Sequence, residues 1–157
     1  MRVIHNGALV PIEESECNDK GWMMGNGVFE TIKTVENKPW ALSRHMRRAV
    51  TSAQQLGLRI PTEDLVRNSV ENLLDTQQHA HGLLRLSFGK NGNWSAVHLA
   101  HEPVKHGAKL LTYDKEIVVQ GQPIKSYPYT HRLEILEAIK SLGADEVINR
   151  NELLEAS

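Results

Sequence analysis

The sequence predicts an α+β fold: a two-layer N-terminal α/β domain, then the start of a second domain. Short runs of β-branched and aromatic residues alternate with polar ones, which is typical of strands, and two longer segments have helical periodicity. Breakers at Gly121 and Pro123 mark a connecting segment. We therefore place an N-terminal domain at 1–115, a linker at 116–123 and the beginning of a second domain at 124–157.

Composition narrows the class of protein. The chain has 157 residues, of which 40% are apolar and 24% charged, a balance typical of a soluble globular protein. A net charge of −1 gives no electrostatic reason to expect nucleic acid or a membrane as partner. The single cysteine, Cys17, fits a reducing cytoplasm. We expect no metal, because His79 and His81 flank Ala80 in a polar loop without a ligand-like spacing.

The first elements are strands. Asn6-Gly7 separates the apolar runs Val3-Ile4 and Ala8–Val10, and this dipeptide between such runs predicts a hairpin. A turn-rich stretch follows, and Val28–Val35 then has the residue types of a strand. Glu36–Pro39 is expected to be a turn.

Two helices come next. Ser43 is a candidate N-cap for a helix from about Arg44 to Leu56, and Gly57 is a natural stop after it. Thr62 is expected to cap a second helix. The predicted inward face of that helix contains Leu65, Val66, Ser69, Val70, Leu73 and Leu74.

Three more strands are predicted in this half, at about 83–88, 96–100 and 110–113. After the linker, Leu133 to Leu142 has helical spacing and ends at Gly143. Val147-Ile148 and Leu153-Leu154 are then predicted to form a hairpin.

One helix and one hairpin cannot bury an independent core. The segment after Pro123 is therefore expected to pack on the first half, on another chain or on residues outside this sequence.

Four features are candidates for chemistry, although each has an ordinary explanation when taken alone. Gly25–Glu30 is a glycine turn that leads into a strand, and most such turns are only turns. Arg48 lies beside the apolar stripe of the first helix, so it can point partly inward. An inward arginine needs an anion, and its planar guanidinium suits a phosphate.

Lys125 precedes Tyr127 and Tyr129. Aromatic neighbours desolvate a lysine, and desolvation favours the neutral amine that a nucleophile needs. A surface lysine is the ordinary alternative, and Glu155, thirty residues later, carries no signal by itself.

The order of these features along the chain is more specific than any one of them. The ordered set is Gly25–Thr31, the His45-x-x-Arg48 helix, Lys125, Gly143–Glu146 and Glu155. This set resembles the class IV aminotransferases, whose members share fold type IV and use pyridoxal phosphate. They include branched-chain aminotransferase, D-amino-acid aminotransferase and 4-amino-4-deoxychorismate lyase.

The resemblance implies roles toward the cofactor. Lys125 is the implied Schiff-base lysine, which also moves a proton during the reaction. Arg48 is implied to bind the cofactor phosphate, and Glu155 to pair with the pyridine nitrogen so that the ring withdraws electrons. Tyr129 is implied to lie beside the lysine.

The resemblance also implies substrate contacts. Phe29 and Glu30 are expected to line the substrate side. Lys33 and Arg85 are candidate partners for a substrate carboxylate, and the implied assembly is a homodimer.

The chain departs from the family pattern at two places. Asn26 stands where an aspartate is usual in the glycine turn, which leaves the chemistry unaffected. Family members also continue well beyond the position of Ser157. We therefore expect the 157 residues alone to bind pyridoxal phosphate weakly and to expose apolar surface.

Three functions stay open from the sequence. Transamination between an amino acid and a 2-keto acid is slightly favoured, because Glu30 is common in transaminases. The lyase that acts on aminodeoxychorismate is the second reading, and a non-catalytic fragment is the third.

Overall fold

The structure is a computed structural model and describes residues 1–103, 107–113, 125–128 and 136–149. It has two compact units. The first contains 1–103 and 125–128, and the second contains 107–113 and 136–149. In the part of the chain that the structure describes, no helix is both long and apolar enough to cross a membrane.

The elements mix strands and helices, so the predicted α+β class is confirmed. In chain order the strands are β1 (Arg2–His5), β2 (Ala8–Pro11), β3 (Gly27–Val35), β4 (Lys38–Pro39), β5 (His81–Gly89), β6 (Trp94–Ala100), β7 (Leu110–Tyr113), β8 (Ser126–Tyr127) and β9 (Glu146–Asn149). The two longer helices are α1 (Leu42–Gln55) and α2 (Glu63–Thr76).

The first unit is built on an antiparallel sheet in the order β2-β1-β6-β5-β3-β4. Strand β3 pairs with β5 along its whole length. Its other edge holds β8 near its beginning, where Gly27 pairs with Tyr127, and β4 at its end. The chain thus brings the residues after the predicted linker back to the start of β3.

Side chains alternate between the two faces of this sheet. We call the side contacted by α1 the helix face; one row across it contains Ile4, Ala96, Leu86 and Glu30. The opposite side is the loop face, and the neighbouring row there contains His5, Ser95, Ser87 and Phe29. Residues 15–26 cover part of the loop face. Gly21 lies so close to it that a Cβ would be 2.7 Å from Val97 Cγ1.

The predicted hairpin at Asn6-Gly7 is confirmed, because both residues have positive φ, as a type I′ turn requires. The strand predicted at Val28–Val35 is β3, which begins one residue earlier. The turn predicted at Glu36–Pro39 is confined to Glu36 and Asn37. The next two residues pair with β3 as β4.

The predicted N-cap of α1 is wrong. The helix begins at Leu42, after Ala41 in a left-handed conformation, and Ser43 lies inside its first turn. The Ser43 hydroxyl instead donates to the Glu63 carboxylate, with 2.6 Å between oxygens. The stop at Gly57 is confirmed by its φ of +65°. An early start at Leu42 buries that side chain in the core.

Helix α2 agrees with its prediction at the N-terminus, where Thr62 Oγ1 accepts a hydrogen bond from the amide of Leu65. The predicted inward face is wrong at Leu65, of which 47% is exposed. The buried residues are Val66, Ser69, Val70, Leu73 and Leu74.

In the second unit, β9 pairs in parallel with β7, so Val147 lies beside Leu111. Ile139 and Ala144 are buried against Leu111 and Leu136. The predicted stop at Gly143 is confirmed by its φ of +70°. Leu153-Leu154, the second half of the predicted hairpin, lies outside the described residues. The described segment after the linker therefore packs on a strand that precedes the linker in sequence.

A buried histidine joins α2 to the sheet. His98 has no exposed surface; its Nδ1 lies 2.7 Å from the carbonyl oxygen of Gln77 and its Nε2 lies 2.8 Å from Thr34 Oγ1. The neutral ring satisfies both contacts when Nδ1 donates and Nε2 accepts. The pKa of His98 is lowered, chiefly because burial disfavours the charged ring, and His79 nearby adds to this. The bond to the Gln77 carbonyl acts in the opposite direction.

His98 makes stability depend on pH. The unfolded chain binds the proton more readily, so the free energy of unfolding should be insensitive to this group above about pH 6.5 and should fall below it. The loss for one proton is at most about 1.4 kcal/mol per pH unit. Urea unfolding of His98→Gln at several pH values below neutrality should show a flatter slope. His81→Gln, at an exposed histidine, is the control, and an unchanged slope in His98→Gln would contradict this account.

Candidate active site

Lys125 lies beside the first residues of β3. Its carbonyl oxygen accepts a hydrogen bond from the amide of Phe29 at 2.9 Å, which fixes its backbone at the edge of the sheet. Its Nζ lies over the Phe29 ring, 5.1 Å from the ring centroid. Lys125 is half-buried and Phe29 is buried. The amine is therefore held close to an aromatic surface on the loop face.

Tyr127 lies on the same side of β3 as Phe29. A Cβ on Gly27 would be 2.7 Å from the Tyr127 hydroxyl, so only glycine leaves room for this ring. The hydroxyl is buried, with no hydrogen-bond partner in the described part of the chain. Burial, with Glu16 and Cys17 nearby, raises the pKa of Tyr127 to about 12. The phenol therefore keeps its proton at neutral pH and can donate it in a hydrogen bond.

A buried carboxylate lies on the helix face. Glu30 is only 1% exposed and accepts hydrogen bonds from Arg48 Nε at 2.7 Å and from Arg48 Nη2 at 2.5 Å. His45 Nδ1 lies 2.8 Å from the same carboxylate. His45 and Arg48 are one turn apart on α1, so both reach Glu30 from one side of the helix. The anion that an inward arginine requires is thus supplied by the chain itself.

Arg48 is placed to contact more than Glu30. Its side chain is 54% exposed, so the guanidinium extends from the buried carboxylate to the surface. A fork of this kind presents donors in several directions within one plane. Arg47, the preceding residue, is exposed and donates to neither oxygen of Glu30 in the contacts described.

Phe29 and Glu30 are consecutive on β3, so their side chains leave the strand on opposite faces. Lys125 accordingly lies with Phe29 on the loop face, whereas Arg48 lies with Glu30 on the helix face. The sequence predicts one site for these four residues, whereas the alternation along β3 divides them between two faces.

Arg85 is on β5, on the loop face. Its guanidinium carbon lies 3.6 Å from the centre of the Trp22 ring, and its Nη1 donates to the carbonyl oxygens of Lys20 and Gly21 at 3.1 and 3.3 Å. Burial lowers the pKa of Arg85. Lys33, the other candidate for a substrate carboxylate, is exposed.

Tyr129 and Glu155 lie outside the described residues, so their assignments stay predictions. Sequence reasoning missed Trp22, and it named Tyr127 only as an aromatic neighbour of Lys125, not as a buried hydrogen-bond donor. The signal for Tyr127 was its spacing of two from Lys125, which places alternate residues of an extended chain on one side. Trp22 gave no such signal, because it lies in a turn-rich segment without periodicity.

The described residues fit pyridoxal phosphate in two respects. A cofactor that attaches to an amine needs a lysine held near its ring, and Lys125 is held beside Phe29. A polar cofactor also needs donors, and the buried Tyr127 hydroxyl lacks a partner in the described part of the chain. Among the described residues, no three or more His, Cys, Asp or Glu side chains are grouped as metal ligands.

The chain is similar to proteins of known family. Residues 27–157 match the model of the family described as amino-transferase class IV. The D-alanine aminotransferase of Bacillus licheniformis is 32% identical over 91 residues, which cover 55% of this chain and 31% of that protein. The chain thus spans under one third of the length of this curated relative.

Two solved structures show the same fold. The PLP-bound form of a hypothetical aminotransferase from Mycobacterium tuberculosis has a TM-score of 0.71 and 18% identity, over 94% of this chain and 61% of that one. A structure described as putative 4-amino-4-deoxychorismate lyase, from Legionella pneumophila, has a TM-score of 0.63 and 21% identity, over 80% and 53%. Because the family model matches most of the sequence, the chain belongs to the class IV aminotransferases, a family of enzymes that depend on pyridoxal phosphate.

Proposed function

We propose that this chain is part of a pyridoxal-phosphate-dependent aminotransferase that moves an amino group between an amino acid and a 2-keto acid. The observation that carries the proposal is the half-buried Lys125 amine, held over Phe29 in a chain that belongs to this family. The D-alanine aminotransferase relative favours a D-amino acid as donor. The assembly proposed is a homodimer in the cytoplasm.

When bound, pyridoxal phosphate withdraws electrons from the α-carbon of the substrate. Lys125 would attach the cofactor through Nζ and then move the proton at that α-carbon. Its contact with Phe29 keeps one side of the amine away from water and fixes the position of Nζ beside the ring.

The residues around Lys125 would bind the cofactor and orient it. Tyr127 has a protonated hydroxyl to donate, and Phe29 supplies an apolar wall. Arg48 is proposed to hold the cofactor phosphate while Glu30 fixes its guanidinium from behind. Glu155 is proposed as the partner of the pyridine nitrogen.

Substrate contacts are proposed for Lys33 and Arg85 toward a carboxylate, and for Phe29 and Glu30 along the substrate side. The Glu30 carboxylate is 1% exposed and already holds Arg48 and His45. Its part in the site would therefore be to position Arg48 rather than to contact substrate directly.

Two assays separate the candidate reactions. The protein loaded with pyridoxal phosphate should form pyruvate from D-alanine when 2-oxoglutarate is present, with D-glutamate as the second product. L-alanine is the control for stereochemistry. Formation of p-aminobenzoate from aminodeoxychorismate, without transamination, would overturn the proposal in favour of the lyase.

One prediction concerns the lysine to which the cofactor attaches. Borohydride reduction of the full-length protein in the presence of pyridoxal phosphate should fix the cofactor on Lys125, because its amine is held beside the Phe29 ring. Peptide mass spectrometry locates the adduct. Lys125→Ala should remove it and Lys140→Ala, at an exposed lysine, should not. An adduct on Lys140 in the unmodified protein would contradict the assignment.

A second prediction concerns the binding of the cofactor phosphate by Arg48. Arg48→Lys keeps the charge but loses the planar fork, so cofactor binding should weaken by about 1.5–3 kcal/mol. Titration with pyridoxal phosphate measures this, and a thermal unfolding curve separates it from the lost contact to Glu30. Arg47→Lys is the matched control, because its side chain is exposed on the same helix. Equal weakening by both variants would show that Arg48 has no special role.

A further inference from the structure

On the loop face, a series of contacts between cationic and aromatic side chains connects Arg85 to Lys125. Arg85 stacks on Trp22, with 3.6 Å from the guanidinium carbon to the ring centroid. Trp22 and Phe29 pack edge to face, with centroids 5.2 Å apart and planes at 77°. Phe29 in turn lies under the Lys125 amine. Each step is a contact that depends on ring orientation.

The segment that carries Trp22 is tightly closed. Asn18 accepts hydrogen bonds from the amides of Lys20 and Trp22 through its side chain, and its own amide donates to the Trp22 carbonyl at 2.8 Å. Gly21 has a φ of +71° and no room for a Cβ against Val97. The loop can therefore approach the sheet this closely only at a glycine.

Arg85 is the residue that joins this loop to the sheet. Its Nη1 donates to two carbonyl oxygens of the loop while the flat side of the guanidinium covers the indole. Lysine cannot make these contacts together, because its ammonium is a point charge without a plane. The indole is thus held in one orientation between a fixed cation and the Phe29 ring.

We propose that Trp22 is a positioning residue of the lysine site: clamped by Arg85, it holds the Phe29 ring in the orientation that shields and places the Lys125 amine. The inference rests on the proposed function, since it assigns Trp22 a part in the same site. Trp22 packs on Phe29, and Phe29 contacts the amine, so the proposed effect of Trp22 is transmitted through the Phe29 ring.

The test measures the reactivity of Lys125 in the cofactor-free protein. Competitive acetylation with trace acetic anhydride, followed by peptide mass spectrometry, gives the rate at Lys125 relative to exposed Lys38 and Lys140 in the same molecules. Trp22→Leu fills the space with an apolar group but gives Arg85 no ring. Trp22→Phe keeps an aromatic ring.

Trp22→Leu should raise the relative rate at Lys125 by about twofold to fivefold, because a Phe29 ring that is no longer held gives up its cation–π contact with the Lys125 ammonium, and one exposed contact of this kind corresponds to a factor of that size. Trp22→Phe should restore most of the original rate. Trp40→Leu is the control, because Trp40 is 71% exposed and should leave the rate unchanged. Arg85→Met should match Trp22→Leu, and the double variant should add nothing further, since both changes break one chain of contacts.

An unchanged relative rate in Trp22→Leu would overturn the proposal. An equal rise at Lys38 and Lys140 would also overturn it, because the loop would then only stabilise the fold. Borohydride trapping of pyridoxal phosphate in the same variants keeps the two hypotheses apart. If the unmodified protein traps nothing at Lys125, the proposed function fails, while the acetylation rates still decide the role of Trp22.

Discussion

The Glu30 carboxylate constrains the whole first unit, because a charge with 1% of its surface exposed must be compensated inside the protein. Arg48 compensates it with two donors and His45 adds a third contact. Both residues lie on α1, so their contacts with Glu30 together fix the rotation of that helix over β3. A shift of β3 by one residue would turn Glu30 to the loop face and leave it without these partners. The register of the central strand is thus tied to the position of the helix.

The register of β3 also decides which of its side chains lie on the loop face. With Glu30 turned to the helices, Phe29 necessarily faces the loop that carries Trp22. The return of the chain as β8 then brings Lys125 to the same ring, since Gly27 pairs with Tyr127 and the Phe29 amide bonds to the Lys125 carbonyl. The charged contact on one face and the aromatic contacts on the other are therefore consequences of one strand placement.

The two faces differ in chemistry. The helix face holds its charge in a compact ion pair, partly open to solvent at Arg48. The loop face combines rings with the cationic side chains of Arg85 and Lys125 and leaves the Tyr127 hydroxyl buried without a partner in the part described. Buried hydrogen-bond donors without a partner and cationic side chains in fixed positions are features of binding sites for polar, anionic ligands. This arrangement agrees with membership in a family whose cofactor carries a phosphate.

The sequence by itself determined the elements whose signals are local. Asn6-Gly7 and Gly57 require positive φ, and Thr62 caps α2 through its own side chain, so neighbouring residues suffice to predict them. The ordered motifs also determined the family. The tertiary structure decided the rest. It drew Ser43 away from capping to Glu63, gave Arg48 its buried partner, and paired β9 with β7 in parallel. Each of these outcomes depends on groups far apart in sequence, whose approach is fixed by packing and charge compensation that no local pattern encodes.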